Sequence, residues 1–395
     1  VKPVNVGMIG YKFMGKAHSH ALKDVNFFFD LGLYPVRKVI CGRHLEPLKK
    51  AAEKWGWQEY TTSWEEVVRR DDIDIIDICT STNTHRDIAV AAAKYGKHIF
   101  CEKPLAMNIQ EAKEMVQAVE EAKVKHMVGF NYRRVPAVRL AKKLIEEGKI
   151  GRIFHWRAAY LQDWIVDPDF PLIWKLRKEI AGSGPHGDLN SHMIDLAHYL
   201  IGDIKSVMCM TTNFIKQRKL PAEELELTTM LTAKSGEGMG EVTVEDAAFV
   251  IAEFENGVLG SFEATRFAPG RKNYNYFEIY GSKGSIVFNF ERMNELQFFS
   301  REEDLAVQGF RTILVTEEVH PYIAAWWPPG HIIGYEHTFV HEFADFLKCI
   351  ETDALPEPNF YDGLKCQAVL DAALLSAERG ERVEVREVLK GVHEP

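Results

Sequence analysis

Short apolar strands alternate with helical segments over residues 4–130, and that alternation leaves few folds open to this chain of 395 residues. Residues 4–9, 36–41, 73–79, 98–101 and 126–130 read as strands. Their continuous apolar runs suit a sheet covered on both faces, as parallel strands are. Apolar spacing of helical period fills the gaps at 14–29, 45–54, 64–70, 85–95 and 109–123. Ser63 is a candidate N-cap, with Glu66 at the capping-box position. Alternating strands and helices predict an α/β fold whose N-terminal part is a doubly wound parallel sheet of the Rossmann type.

The first strand runs into Gly10-Tyr11-Lys12-Phe13-Met14-Gly15 and then a helix. Strand, glycine turn and helix are the context that a dinucleotide site requires. Gly10 permits the tight turn and Gly15 lets the helix pack on the strand. Lys12, Phe13 and Met14 lead into the helix, whose unpaired N–H groups suit a pyrophosphate. Lys12 stands where a second glycine would let the backbone approach the phosphates. Its ammonium suits phosphate, whereas its bulk would displace it. A tight turn with no ligand has the same sequence.

Gly42-Arg43-His44 follows the second strand and lacks the acid that commonly holds the ribose hydroxyls of NAD. Arg43 suits a 2′-phosphate, stacking on adenine, or plain solvation. Taken alone, this stretch leans to NADP. Thr80, Ser81, Asn83 and His85 follow another strand. Their polar groups suit ribose and phosphate oxygens, or simply cap the next helix. Glu102-Lys103-Pro104 ends the 98–101 strand, at the edge where open sheets bind ligands. Pro104 keeps Lys103 extended, so its ammonium can point at a bound substrate. A surface ion pair is the alternative.

After a helix at 138–147 the pattern changes. Strand-like runs at 153–161, 206–214, 226–232, 247–255, 258–266, 274–280 and 285–290 are parted by turns such as Glu255-Asn256-Gly257. They predict a C-terminal α+β domain with a large, mostly antiparallel open sheet. The domains expected are 1–131 and 132–395. Helices are expected at 337–350 and 362–378, after a Trp-Pro loop at 325–330.

A further helix begins near Gly184 and ends at Gly202. Leu189, Met193, Leu196, Ala197 and Leu200 form its apolar stripe, and Asp188, His192, Asp195 and Tyr199 an adjacent polar face. Asp188 and His192 lie four residues apart, as neighbours on a helix do. A carboxylate beside an imidazole can orient it and keep it basic, which suits removal of a hydroxyl proton. A helix-dipole acid beside a packed core histidine is the bland alternative.

Net charge is −9, which argues against nucleic acid or anionic membrane as partner and fits a cytoplasmic enzyme. No apolar run approaches membrane-span length, and the chain enters its first strand without a signal peptide. The six cysteines show no Cys-x-x-Cys spacing and read as reduced core residues. His341-Glu342 is followed by Asp345 where the zinc-protease motif needs histidine, and His18-Ser19-His20 reads as a packed helix face. No metal is expected.

Together, Gly10–Gly15, the Thr80–Asn83 turn with His85, Cys101-Glu102-Lys103-Pro104, Gly129-Phe130-Asn131-Tyr132-Arg133, Gly187-Asp188-Leu189-Asn190-Ser191-His192 and Gly281-Ser282-Lys283-Gly284 resemble the glucose–fructose oxidoreductase / inositol dehydrogenase / rhizopine-catabolism (Gfo/Idh/MocA) family. The resemblance implies a hydride transfer between a ring hydroxyl of a sugar, glycoside or cyclitol and a nicotinamide cofactor. It implies Lys103, Asp188 and His192 as the catalytic group: His192 as general base, Lys103 polarising the reacting oxygen, and Asp188 holding the substrate or tuning that pair, with Asp188 and His192 also among the substrate-binding residues. Gly42-Arg43, Gln162-Asp163-Trp164 and Gly182-Ser183-Gly184 are similar to the levoglucosan-dehydrogenase-like members, which implies NAD despite Arg43. By the same match Tyr132, Asp163 and Trp164 would line the sugar site, with His337 a further candidate. A homodimer or homotetramer through the C-terminal sheet is implied. The alternatives are an NAD-retaining glycosidase or lyase, a non-catalytic nucleotide-sensing regulator, and a biliverdin-reductase-like enzyme. The intact Lys103–Asp188–His192 set speaks against the regulator, and the polar groups against the last.

Overall fold

The structure is a computed structural model and describes residues 1–222 and 233–390. Its N-terminal part runs β1 (Lys2–Ile9), α1 (Phe13–Phe28), β2 (Leu33–Cys41), α2 (Leu45–Trp55), β3 (Glu59–Thr61), α3 (Trp64–Arg69), β4 (Ile75–Ile78), α4 (His85–Lys94), β5 (His98–Cys101), α5 (Ile109–Ala122) and β6 (His126–Val128). The six strands are parallel, in the order β3-β2-β1-β4-β5-β6. The order reverses between β1 and β4, which opens a crevice outside their carboxyl ends. β3 was not legible, because Glu59-Tyr60-Thr61 carries no apolar run. Ser63 Oγ accepts from Glu66 N–H as expected of an N-cap, but the Glu66 carboxylate bonds Thr61, so the capping box is half formed.

The chain continues through α6 (Pro136–Glu146), β7 (Ile153–Leu161), α7 (Lys178–Ala181), α8 (Ser191–Leu200), β8 (Ile204–Thr212), β9 (Gln217–Pro221), β10 (Ser235–Glu241), β11 (Ala247–Phe254), β12 (Leu259–Thr265), β13 (Tyr274–Gly281), β14 (Gly284–Asn289), β15 (Glu295–Ser300), β16 (Arg311–Leu314), α9 (Tyr335–Thr352), α10 (Phe360–Arg379), β17 (Val383–Glu384) and α11 (Val385–Leu389). Nine strands form one open sheet, β16-β15-β14-β13-β7-β12-β11-β8-β17. Among the described residues only the β7–β12 pairing is parallel. β9 and β10 form a separate hairpin that the sequence did not announce, since Gly236, Gly238 and Gly240 interrupt any strand pattern in β10. The strand expected at 226–232 lies outside the described residues.

Alternation along the large sheet sorts its faces. Val207, Cys209, Val250, Ala252 and Phe262 are buried, while Met208, Met210, Phe249 and Ile251 are exposed on the other side. Two helices then return to the first domain. Phe343 of α9 stacks on Phe100 of β5 at 4.7 Å, and Phe360 N–H at the start of α10 donates to His126 of β6. Both helices are thereby fixed against the parallel strands.

Candidate active site

The glycine turn forms the floor of the crevice. Gly10 has φ +110°, and a Cβ there would lie 2.5 Å from the Cys79 carbonyl oxygen. A Cβ on Gly15 would lie 2.2 Å from the Gly10 carbonyl oxygen. Side chains at either place would push α1 off the ends of β1 and β4. Lys12 is the N-cap residue, with φ −79°, so the backbone does not require glycine there. No side chain caps α1, which leaves its first N–H groups open to an anion. Lys12 and Phe13 are exposed and Met14 is half-buried beside them. Arg43 is exposed at the end of β2. Across the crevice, Thr80 and Ser81 are half-buried and Asn83 exposed, with Ser81 Oγ donating to Asn83 at 2.8 Å. These groups fit a dinucleotide laid over the β1–β4 switch point.

His85 and Glu102 do not join that surface. His85 is buried, with Nδ1 facing the Pro104 and Leu105 carbonyls and Nε2 facing the Thr80 carbonyl, and its single N–H donates to one side. Burial holds its pKa down, so the ring is a neutral strut. Glu102 turns inward, where Oε1 bonds His18 Nε2 at 3.0 Å and Oε2 accepts the Lys103 N–H at 3.1 Å. The Glu-Lys pair therefore does not face the crevice as a pair: successive residues of an extended strand point to opposite sides. His18 bonds Asp77 at 2.9 Å with its other nitrogen. Burial opposes charge on that ring, yet Asp77 and Cys79 outweigh it and raise the pKa well above the usual value. The ligand atoms of His18, Asp77 and Cys79 lie close enough together to hold a metal. A ring that spends both nitrogens on carboxylates has none left to ligate one.

Lys103, just past the end of β5, reaches Asp188. The Lys103–Pro104 peptide is cis. Lys103 Nζ donates to the Asp188 carbonyl at 2.9 Å and to Asp188 Oδ1 at 3.0 Å. Asp188 sits in a π-helical turn, His186–Asn190, that runs straight into α8. Gly182 (φ +81°) and Gly184, whose Cβ would lie 2.0 Å from the Glu245 carbonyl oxygen, let the chain enter that turn. Single π turns inside helices recur at functional sites.

The expected Asp188–His192 pair does not form. The carboxylate is taken by cations from three other segments: Lys103, Lys175 at 2.9 Å and Arg266 at 2.8 Å. Burial would raise its pKa, but the three cations hold it well below the usual carboxylate range. His192 is buried with Nδ1 unpartnered among the described residues. Burial, then Lys103, pushes its pKa well below the usual value against the pull of Asp188, so the ring is neutral at neutral pH. Neutrality makes it a proton acceptor, by a route opposite to the carboxylate support the spacing suggested. Lys175 and Arg266 were missed because one follows a tryptophan in a loop and the other ends a strand, with no periodic signal.

Aromatic groups wall the site. The Tyr132 ring packs on His192 at 4.4 Å, and its hydroxyl bonds that of Tyr160 at 2.7 Å. Tyr160 donates to Asn273, which also holds Gln162. Trp164 donates to Gln162 and lies under the Arg266 guanidinium, 5.3 Å from ring centre to carbon. Asp163 is turned the other way, to Lys272 at 2.7 Å and the Gly270 N–H at 3.0 Å. His337 lies apart from the site. Its Nδ1 accepts the Gly334 N–H at the start of α9, and its ring meets Trp326 at 4.4 Å. Tyr335, two residues earlier, is the α9 group on the site side: it packs between Phe13 and Phe290, and Phe290 in turn packs on Tyr132.

Residues 4–130 match a family described as an oxidoreductase family with an NAD-binding Rossmann fold, and residues 138–287 match the GFO/IDH/MocA C-terminal domain. The chain is 45% identical to levoglucosan dehydrogenase of Pseudarthrobacter phenanthrenivorans over 98% of its own length and 99% of that protein. It superposes on an oxidoreductase domain protein from Kribbella flavida with TM-score 0.92 and 47% identity, covering 98% and 100% of the two chains. A levoglucosan dehydrogenase solved with NADH and levoglucosan gives 0.91 and 44%, over 97% and 99%.

Proposed function

The chain belongs to the Gfo/Idh/MocA family of oxidoreductases, and we propose that it is an NAD-dependent dehydrogenase that oxidises a ring hydroxyl of a sugar, glycoside or cyclitol, anhydrosugars of the levoglucosan type foremost. One observation carries the reading: a lysine ammonium, an ionised carboxylate and a neutral imidazole converge where the glycine crevice meets the aromatic wall. NAD, when bound, supplies the hydride acceptor.

The chain's own residues do the rest. His192 accepts the hydroxyl proton through its neutral ring. Lys103 donates to the reacting oxygen as negative charge builds on it. Asp188 aims that ammonium. Tyr132 and Trp164 bound the ring of the substrate, since aromatic faces suit the apolar face of a pyranose. Gly10, Gly15 and the open N–H groups of α1 receive the pyrophosphate, with Lys12, Phe13 and Met14 at its edge. Arg43 lies on the adenosine side, and Thr80, Ser81 and Asn83 bind from the opposite wall.

We place the domain boundary at Asn131, where the parallel sheet has ended. We also propose a homodimer or homotetramer through the open sheet face. Its cross-strand pairs Phe249–Met210 and Ile251–Met208 are exposed apolar side chains of the kind an interface covers. Among the described residues no helix is long and apolar enough to cross a membrane. Cytoplasmic residence is supported by six free cysteines, five of them buried.

The test is nicotinamide reduction, followed by absorbance, with levoglucosan, other anhydrosugars, hexoses, glucosides and inositols, with NAD and NADP supplied separately. Reduction of NAD by one polyol class is expected. No reduction with any pair, and no affinity for NAD, would overturn the proposal.

A further inference from the structure

Asp188 is over-supplied with cations. Lys175 Nζ lies 3.1 Å from Oδ1 and 2.9 Å from Oδ2, and Lys103 shares Oδ1. Arg266 takes Oδ2 and is itself only 1% exposed. Three cations on one half-buried carboxylate leave two positive charges beside the imidazole of His192. A stability role alone would need one partner; each further buried cation costs desolvation free energy. We propose that Lys175 is a positioning residue of this site, which with Arg266 holds Asp188 turned toward Lys103 and away from His192.

The groups facing His192 are few enough to state the consequence. Lys103 and Lys175 act on it as cations and Asp188 as an anion, while Tyr132, Tyr160 and Phe130 present uncharged rings. Arg266 acts on Asp188 from the far side. Removing the Lys175 charge deletes one cation near the imidazole and takes one donor from each carboxylate oxygen, which Lys103 and Arg266 still hold. Both changes favour a proton on His192. Lys175 is itself pushed below the usual lysine range, first by burial and then by Lys103 and Arg266, with Asp188 opposing. A lysine packed there for fill alone would not be kept among like charges.

The inference rests on the dehydrogenase reading for its use in turnover, but its test does not. Lys175→Met, Lys175→Gln and Lys175→Arg would be compared with the wild type by NMR titration of the His192 ring, assigned with His192→Gln. In the Met and Gln variants His192 should titrate at higher pH than in the wild type, and Arg should restore the wild-type midpoint. With levoglucosan and NAD, the neutral variants should lose about tenfold or more in kcat, shift the acidic limb of the profile upward, and keep the wild-type Kd for NAD. Folding is checked by circular dichroism, and Gln stands in if Met does not fold. An unmoved His192 midpoint in a folded neutral variant overturns the inference. A shifted midpoint in a protein that reduces neither NAD nor NADP with any of the polyols, and has no affinity for NAD, overturns the dehydrogenase reading and leaves the Lys175 assignment standing.

Discussion

Lys103 reaches across 85 residues of sequence to hold Asp188 twice, through its carbonyl at 2.9 Å and its carboxylate at 3.0 Å. Two bonds to one residue fix both the position and the direction of the ammonium, which a single contact to a mobile side chain would not. The proton-accepting and charge-stabilising groups thereby come from segments far apart in sequence.

Lys103→Ala should lower kcat roughly 100- to 1,000-fold, the loss typical of one donor to a developing oxyanion. Affinity for NAD should stay within a few-fold, because the glycine turn is untouched. Steady-state rates with fluorescence titration of the cofactor check this, and a wild-type rate in the variant would sink the assigned role.

The acidic limb of kcat/KM should lie below the ordinary histidine pKa of about 6.5. His192 acts when neutral, and burial with Lys103 depresses its pKa well below that value. Activity should therefore persist through pH 6.5 and fall only as the pH drops further. Rates measured down to the acid stability limit, with levoglucosan and NAD, read the sign directly. A limb above 6.5 would place a different base in the reaction.

Gly15→Ala puts a Cβ 2.2 Å from the Gly10 carbonyl oxygen. Backbone must move, so stability should fall by about 1–3 kcal/mol and NAD affinity should fall with it. Thermal melts with and without NAD test both at once. An unchanged melt would mean that α1 is less tightly seated than its geometry implies.

Stability should decline between pH 6.5 and 4 in part through His126. Its Nδ1 accepts the Phe360 N–H at 3.0 Å, and its pKa is lowered to about 4, first by burial and then by Lys125 against Asp362. The unfolded ring takes a proton near pH 6.5 and the folded ring only near 4. Above 6.5 the contribution is complete, and it is lost as the pH falls, on the order of 3 kcal/mol across the window. The difference between wild-type and His126→Gln denaturation curves should shrink over that range.

Phe249→Lys with Ile251→Lys should yield smaller particles by light scattering, with the fold retained by circular dichroism. Charge on a face that pairs with its copy is repelled at every contact. An unaltered mass would assign the oligomer, or its absence, to some other surface.

Five of the six described strands of the N-terminal sheet, its glycine turn and the Lys103 strand end were legible in the residues alone, because apolar period and glycine placement are local properties. The β9–β10 hairpin was not, since glycines erase the strand pattern. His337 and Tyr335 show the same limit at a helix start: period locates the helix, but packing against Phe13 and Phe290 determines which residue turns to the site.

For the proposed catalytic group, residue types and spacing made Lys103, Asp188 and His192 candidates beside bland alternatives, and the family resemblance tipped the choice. Their charges were not deducible from spacing. Asp188 and His192, four apart, read as a bonded pair. Lys175 and Arg266, arriving from distant segments, join Lys103 on the carboxylate instead, and burial together with Lys103 keeps the imidazole neutral. Coulombic energy depends on distance in space, and only the folded chain sets which charges come within 3 Å of one another.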